Sequence, residues 1–180
     1  MSEFTIGIDP GLNGAIVIMG EGRVEKILIP LIGKVLDING LCKTIKLLKS
    51  FTDVHIFVED VHAIFGCAAG ATFTFGGVFY AIQTAVAAME LPFTLVQPKE
   101  WQKIAYQGIP EIRKPDILIK KGKRAGQTMQ GKRDCKKMSE LAAKRLFPNV
   151  DLRASERCKI SHDGIVDALL IAYYGSIMHK

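Results

Sequence analysis

The 180-residue chain has four cysteines, Cys42, Cys67, Cys135 and Cys158, and they are widely scattered. No two have the spacing of zinc ligands, and no disulfide framework can be read from them. They fit a reducing compartment, where they act as small hydrophobes. No basic leader followed by an apolar core opens the chain, so no signal peptide is expected. The expected location is cytoplasmic, without secretion. There is no phosphate-binding glycine loop, no nucleophilic-serine elbow and no His/Cys metal spacing. Internal repeats, low-complexity tracts and domain linkers are also missing, so a single domain over residues 1–180 is expected. The most apolar long stretch, 76–93, still contains Gln83, Thr84 and Glu90. It reads as a packed helix and not as a membrane span.

Acidic residues are in deficit. The chain has 24 Lys and Arg against 18 Asp and Glu, a net charge of +6, with pI ≈ 9.2. A polyanionic partner fits that balance. Hydrophobic residues make up 48%, enough for a globular core and too many for disorder.

The chain is organised around its first apolar run, Thr5-Ile6-Gly7-Ile8-Asp9. A Pro10-Gly11 turn follows, and a second run returns over Ala15–Ile18. The pair reads as a hairpin, with Gly11 and Gly14 supplying turn conformations. Asp9 lies at the lip of this hairpin, where a buried carboxylate needs a partner or a metal. A third strand is expected over Val24–Ile29, ended by Pro30, and then a connection over Gly33–Asn39. A helix over Leu41–Phe51 would be capped by Asp37 or Asn39, with Leu41, Ile45 and Leu48 on one face. Val54–Glu59 is an almost wholly apolar strand, as a strand buried on both faces should be, and it too ends in a carboxylate.

A Gly/Ala-rich loop over His62–Ala71 then leads to a helix over Phe73–Met89. Its small residues Gly76, Gly77, Ala81, Ala85 and Ala88 suit either a subunit contact or core packing. A fifth strand over Pro92–Val96 precedes a short helix over Lys99–Tyr106, with Trp101 as a packing anchor. The segment 120–133 has six basic residues, three glycines and no acid, and reads as a mobile, solvated loop. A helix from Asp134 or Cys135 to Phe147 stops at Pro148. The last helix spans His162–Met178.

That last helix begins His162-Asp163-Gly164-Ile165-Val166-Asp167. Asp163 and Asp167 are four apart and share a helix face. The helix dipole stabilises each charge by only about 0.3–1 kcal/mol. Two strand ends and one helix start therefore deliver Asp9, Glu59, Asp163 and Asp167. Such a cluster is strongly unfavourable without a cation. Hard oxygen ligands point to Mg²⁺, with Mn²⁺ able to substitute, as two ions suited to attack on a phosphodiester.

Gly7-Ile8-Asp9-Pro10-Gly11, Glu59 at a strand end, and Asp163 with Asp167-Ala168-Leu169-Leu170-Ile171-Ala172 resemble the RuvC-type Holliday-junction resolvases of the ribonuclease H-like superfamily. The Phe75-Gly76-Gly77 helix, the Leu91-Pro92 strand, Gln97-Pro98 through Trp101 and the Ser139–Pro148 helix follow in family order. The resemblance covers nearly the whole chain. It implies an α/β fold with a central mixed five-stranded sheet flanked by helices. It also implies a homodimer that places paired symmetric nicks across a four-way DNA junction and requires Mg²⁺, with no membrane partner. Asp9, Glu59, Asp163 and Asp167 would be the metal ligands and catalytic acids.

Family members often carry the last two acids three apart. Here that position is Gly164, which leaves Asp163 or His162 to complete the set. The family also has a basic residue near its active site, and Lys132, Lys136 and Lys137 are the candidates, Lys136 foremost. Phe65 is the nearest match to a family aromatic that stacks on unpaired bases. Lys120, Lys121, Lys123, Arg124, Lys132, Arg133, Lys136 and Lys137 would contact the DNA backbone. The compact size and the four-residue spacing fit a phage- or virus-type member. Competing readings are another ribonuclease H-like nuclease, a non-cleaving junction-binding protein, and an actin-like phosphotransfer domain. The chain is short for the two lobes of the last.

Overall fold

The computed structural model describes residues 4–61, 68–122 and 126–179. Three antiparallel strands open it: β1 (Phe4–Ile8), β2 (Ala15–Gly20) and β3 (Arg23–Leu28). The expected plain connection after Pro30 instead folds into a small hairpin, β4 (Leu31–Ile32) with β5 (Val35–Leu36). Asp37 caps helix α1 (Ile38–Leu48), accepting from Gly40 N at 2.9 Å. The cap starts the helix three residues earlier than its apolar spacing suggests. Leu41, Ile45 and Leu48 are buried as that spacing predicts.

β6 (Val54–Glu59) then lies parallel to β1, and β7 (Phe93–Val96) lies parallel to β6. Between them runs helix α2 (Ala69–Ala88). It begins four residues before the expected start, because Ala69, Gly70 and Ala71 continue the helix where a loop was expected. The sheet order β3-β2-β1-β6-β7 puts β1 at its centre. This is the mixed five-stranded sheet implied by the resemblance.

Side chains alternate across that sheet, as strand geometry requires. Ile6, Ile8, Ile16, Ile56 and Val58 pack with α1 and with Val78, Ile82 and Val86 of α2. Ala15, Val17 and Phe57 face the other way. There they meet α3 (Pro98–Ala105), α4 (Cys135–Leu146) and α5 (Asp163–Met178). Among the described helices, α2 has the length and composition to cross a membrane. Val78, Phe79, Ile82, Ala85 and Val86 nevertheless line one face that is buried in the core. Its small residues divide accordingly. Ala85 is buried in the core, while Gly77 and Ala88 face outward.

The basic segment departs from the expected solvated loop. Strands β8 (Ile117–Leu118) and β9 (Thr128–Met129) pair antiparallel. Ile119 N donates to Gln127 O at 2.9 Å, and Lys114 N donates to Lys132 O at 2.9 Å. Strand-forming residues at 117–118 and 128–129 pair into a two-stranded arm.

Candidate active site

α5 positions the site by lying directly on the sheet. A Cβ on Gly7 would fall 2.0 Å from Ala168 O, so only glycine lets the helix backbone rest on β1. At the helix start, a Cβ on Gly164 would fall 2.3 Å from Asn13 O and 2.7 Å from Gly14 Cα. No side chain fits three residues before Asp167, which accounts for the four-residue spacing of the two acids. Gly11 and Gly14 are not among the described residues with left-handed φ. Gly14 is needed for space, because its Cβ would meet Asp9 O at 2.0 Å. The turn conformations expected of these two glycines are therefore corrected to a close-packing role at Gly14.

Asp9 continues β1 and donates its backbone N–H to Ala15 O at 3.0 Å. β6 runs alongside in the register Ile8↔Val58, so Asp9 and Glu59 leave the sheet as neighbours. α5 carries Asp167 over the same spot. Asp9, Glu59 and Asp167 are half-buried, and Asp163 is exposed at the rim. Burial pushes the Asp9 pKa well above the usual carboxylate range, and the charges of Glu59, Asp167 and Asp163 push it further. Burial also raises Glu59 to about 7, with the Asp167 charge adding to it and a hydrogen bond from Trp101 opposing it. Asp167 rises to about 6, mainly by burial, against a hydrogen bond from Ser139. The four sequence-predicted acids thus share one electrostatic environment.

Glu59, Asp167 and Asp163 each have a holder as well. Trp101 Nε1 donates to Glu59 Oε1 at 3.0 Å. Tyr106 Oη and Ser139 Oγ are 2.7 Å apart and hydrogen-bonded, and Ser139 bonds Asp167 in turn. Lys136 Nζ donates to Asp163 Oδ2. The His162 ring is occupied as the α5 N-cap, accepting from Ile165 N at 3.4 Å. Of the three lysine candidates, Lys136 is the one seen to meet the carboxylates; Lys132 and Lys137 are exposed.

Held in this way, no three His, Cys, Asp or Glu side chains among the described residues are gathered tightly enough to hold an ion as they stand. The donors are nonetheless all carboxylate oxygens, and burial together with neighbouring carboxylate charge raises the pKa values of Asp9, Glu59 and Asp167. That is the chemistry of a set suited to a hard divalent cation.

Sequence reasoning missed three residues here. Trp101 is the packing anchor expected, buried at 1% exposure, but it also holds Glu59. Tyr106 and Ser139 were not singled out. The available signal was Ser139 on the inward face of α4, among buried Met138, Ala142 and Ala143. A polar side chain there needs a partner.

Of the expected DNA contacts, Lys120 and Lys121 are exposed on the arm, and Lys137 is exposed on α4. Arg133 lies over the Tyr106 ring, 5.2 Å from its centroid, and donates to Met138 Sδ. Phe65, Lys123 and Arg124 lie outside the described residues.

A central β1 flanked by an antiparallel β2 and a parallel β6, with α5 laid across it, gives an α/β fold of the ribonuclease H-like kind. More particularly, the fold is that of RuvC. The chain is similar to Thermus thermophilus RuvC in complex with a Holliday junction substrate, with TM-score 0.55 and 13% identity, covering 98% of this chain and 96% of that one. It is also similar to a second Thermus thermophilus RuvC structure, with TM-score 0.53 and 16% identity, covering 99% and 97%. No family model and no curated protein sequence matches the chain. The resemblance read from the sequence therefore holds at the level of the fold, over nearly the whole length.

Proposed function

We propose that this chain is a divalent-metal-dependent endonuclease that resolves four-way DNA junctions by paired symmetric nicks, acting as a homodimer of single nuclease domains. The observation that carries this reading is the convergence of Asp9, Glu59 and Asp167 from two strand ends and one helix, each pKa raised by burial and neighbouring charge. A protein that only bound DNA would gain nothing from a cluster of negative charge facing its phosphates. The RuvC neighbour in complex with a Holliday junction substrate supports branched DNA as the ligand.

Asp9, Glu59 and Asp167, with Asp163 at the rim, would hold two Mg²⁺ ions, and Mn²⁺ would substitute. When bound, the ions supply an activated water and stabilise charge on the leaving 3′ oxygen. The chain's own groups prepare the site. Trp101 and Ser139 stabilise the ionised forms of Glu59 and Asp167, because a hydrogen bond to a carboxylate lowers its pKa. Lys136 sets a cation at the mouth of the site, where a phosphate must approach.

The outer face of α2 supports the dimer. Phe73 is 84% exposed and Tyr80 is 67% exposed, and a Cβ on Gly77 would meet nothing among the described residues within 4 Å. Such an apolar face suits a second copy of the chain.

Cleavage of a labelled four-way junction beside a linear duplex, a flap and an RNA–DNA hybrid tests this reading. Each substrate is run with Mg²⁺, with EDTA, and with Asp9→Asn protein. Paired nicks on the junction alone, lost with EDTA and with Asp9→Asn, are expected. Cutting mainly of hybrid or flap would keep the chemistry and overturn the substrate. Junction binding without cutting in any lane would overturn the nuclease assignment.

A further inference from the structure

The arm built on β8 and β9 is unlike the rest of the surface. Its two strands pair with each other and, among the described residues, join no other sheet. Ile117 and Met129 are direct cross-strand partners and share one face of the ribbon, while Leu118 stands on the other. All three are in water, at 52%, 37% and 56% exposure respectively. A two-stranded ribbon has no core in which to bury such side chains.

Charge identifies the occupant. Residues 113–133 contain eight of the chain's 24 Lys and Arg and one of its 18 Asp and Glu, so this arm carries +7 and the rest of the chain −1. The one acid, Asp116, accepts from Gly131 N at 2.9 Å and braces the ribbon. Lys114, Lys120, Lys121 and Lys132 are exposed around the apolar residues. The root of the arm adjoins the carboxylates. Asp134 N donates to Ile112 O at 2.7 Å, and Asp134 caps α4 two residues before Lys136.

We propose that this arm enters the branch point of the DNA junction. Ile117, Leu118 and Met129 wedge against base pairs there, while the surrounding lysines hold the flanking phosphates. A two-stranded ribbon has the width to enter a DNA groove. Ile, Leu and Met are among the side chains that insert between base steps. Bases at a branch point lack continuous stacking, so displacing them costs less there than within a duplex. This inference rests on the reading of the protein as a junction nuclease. It adds to that reading a source of selectivity for branched over linear DNA.

The test uses the full chain in EDTA, with 2-aminopurine at the branch point of a synthetic four-way junction and at the matching position of a linear duplex. Wild type should brighten the junction probe and leave the duplex probe dark. The triple variant Ile117→Ala, Leu118→Ala, Met129→Ala should lose the brightening. It should bind the junction about tenfold or more weakly with duplex affinity unchanged. If the triple variant does not fold, Leu118→Ala alone should show a smaller loss in the same direction. A variant that keeps both the brightening and the junction-to-duplex ratio overturns the wedge. So does one that becomes monomeric with DNA binding intact, since the ribbon would then be a contact between copies. Wild type that cuts junctions alongside an unchanged variant defeats the arm alone, whereas wild type that neither binds nor cuts branched DNA defeats the nuclease reading as well.

Discussion

Glu59 and Asp167 show at the residue scale what the site costs the fold. Folding raises their pKa values to about 7 and about 6. Each carboxyl therefore holds its proton more tightly folded than unfolded. That stabilisation is complete below the unfolded value of about 4 and is lost as pH rises through the folded values. For Glu59 the loss is about 3 kcal/mol. Metal-free protein should melt at a lower temperature at pH 8 than at pH 5, and Asp9→Asn should raise the pH 8 melting temperature. Mg²⁺ should raise it for wild type and much less for Asp9→Asn, measured by thermal denaturation with EDTA or Mg²⁺. A melting temperature that is flat with pH and blind to Mg²⁺ would count against the carboxylate cluster as the metal site. The hydrogen bond from Trp101 opposes the rise at Glu59. Trp101→Phe should move the acidic limb of the cleavage pH profile upward, and an unchanged profile would make Trp101 a packing residue alone.

At the element scale, α5 and β1 are fitted backbone to backbone. Gly7→Ala would drive a methyl group into Ala168 O at 2.0 Å and Ala172 N at 2.4 Å. Overpacking of this kind costs about 1–3 kcal/mol, and more where backbone must move. Gly7→Ala should lower the urea midpoint sharply and remove cleavage together with stability. Full stability in this variant would show that the helix does not rest on the strand. The same contact explains why the acids of α5 sit at 163 and 167, since Gly164 is pressed against the first hairpin. α1 and α4 are set by shorter-range chemistry. Asp37 and Asp134 each accept a backbone N–H at a helix start. Those caps are legible locally, which is why these helices were expected close to where they lie.

Over the whole molecule, two surfaces differ from the rest, and in the arm exposed apolar side chains stand among lysines. Basic residues concentrate in the arm, and exposed aromatics lie on the outer face of α2. DNA binding should fall steeply with salt, by orders of magnitude between low and moderate ionic strength if several phosphates are contacted. A shallow salt dependence in a filter-binding titration would remove the arm from the interface. Gly77→Arg places a charge on the open face of α2, where nothing among the described residues lies within 4 Å to hinder folding. It should give monomers by light scattering while leaving the melting temperature near that of wild type. A dimer that survives would place the contact elsewhere.

The sequence by itself determined the five strands of the main sheet, the acidic caps of α1 and α4, and the positions of the four acids at strand ends and a helix start. Each rests on nearest-neighbour chemistry: an apolar run ending in a carboxylate, an Asp before a helical period, two acids one turn apart. Tertiary structure alone decided which groups hold those acids. Trp101 lies 42 residues from Glu59, and Tyr106 lies 33 residues from Ser139. No periodicity reports such pairings, because they depend on how α3, α4 and α5 stack on one face of the sheet. The arm belongs to the same category. Its composition reads as a solvated loop, and only the pairing of Ile117 with Met129 and Leu118 with Thr128 turns it into a ribbon.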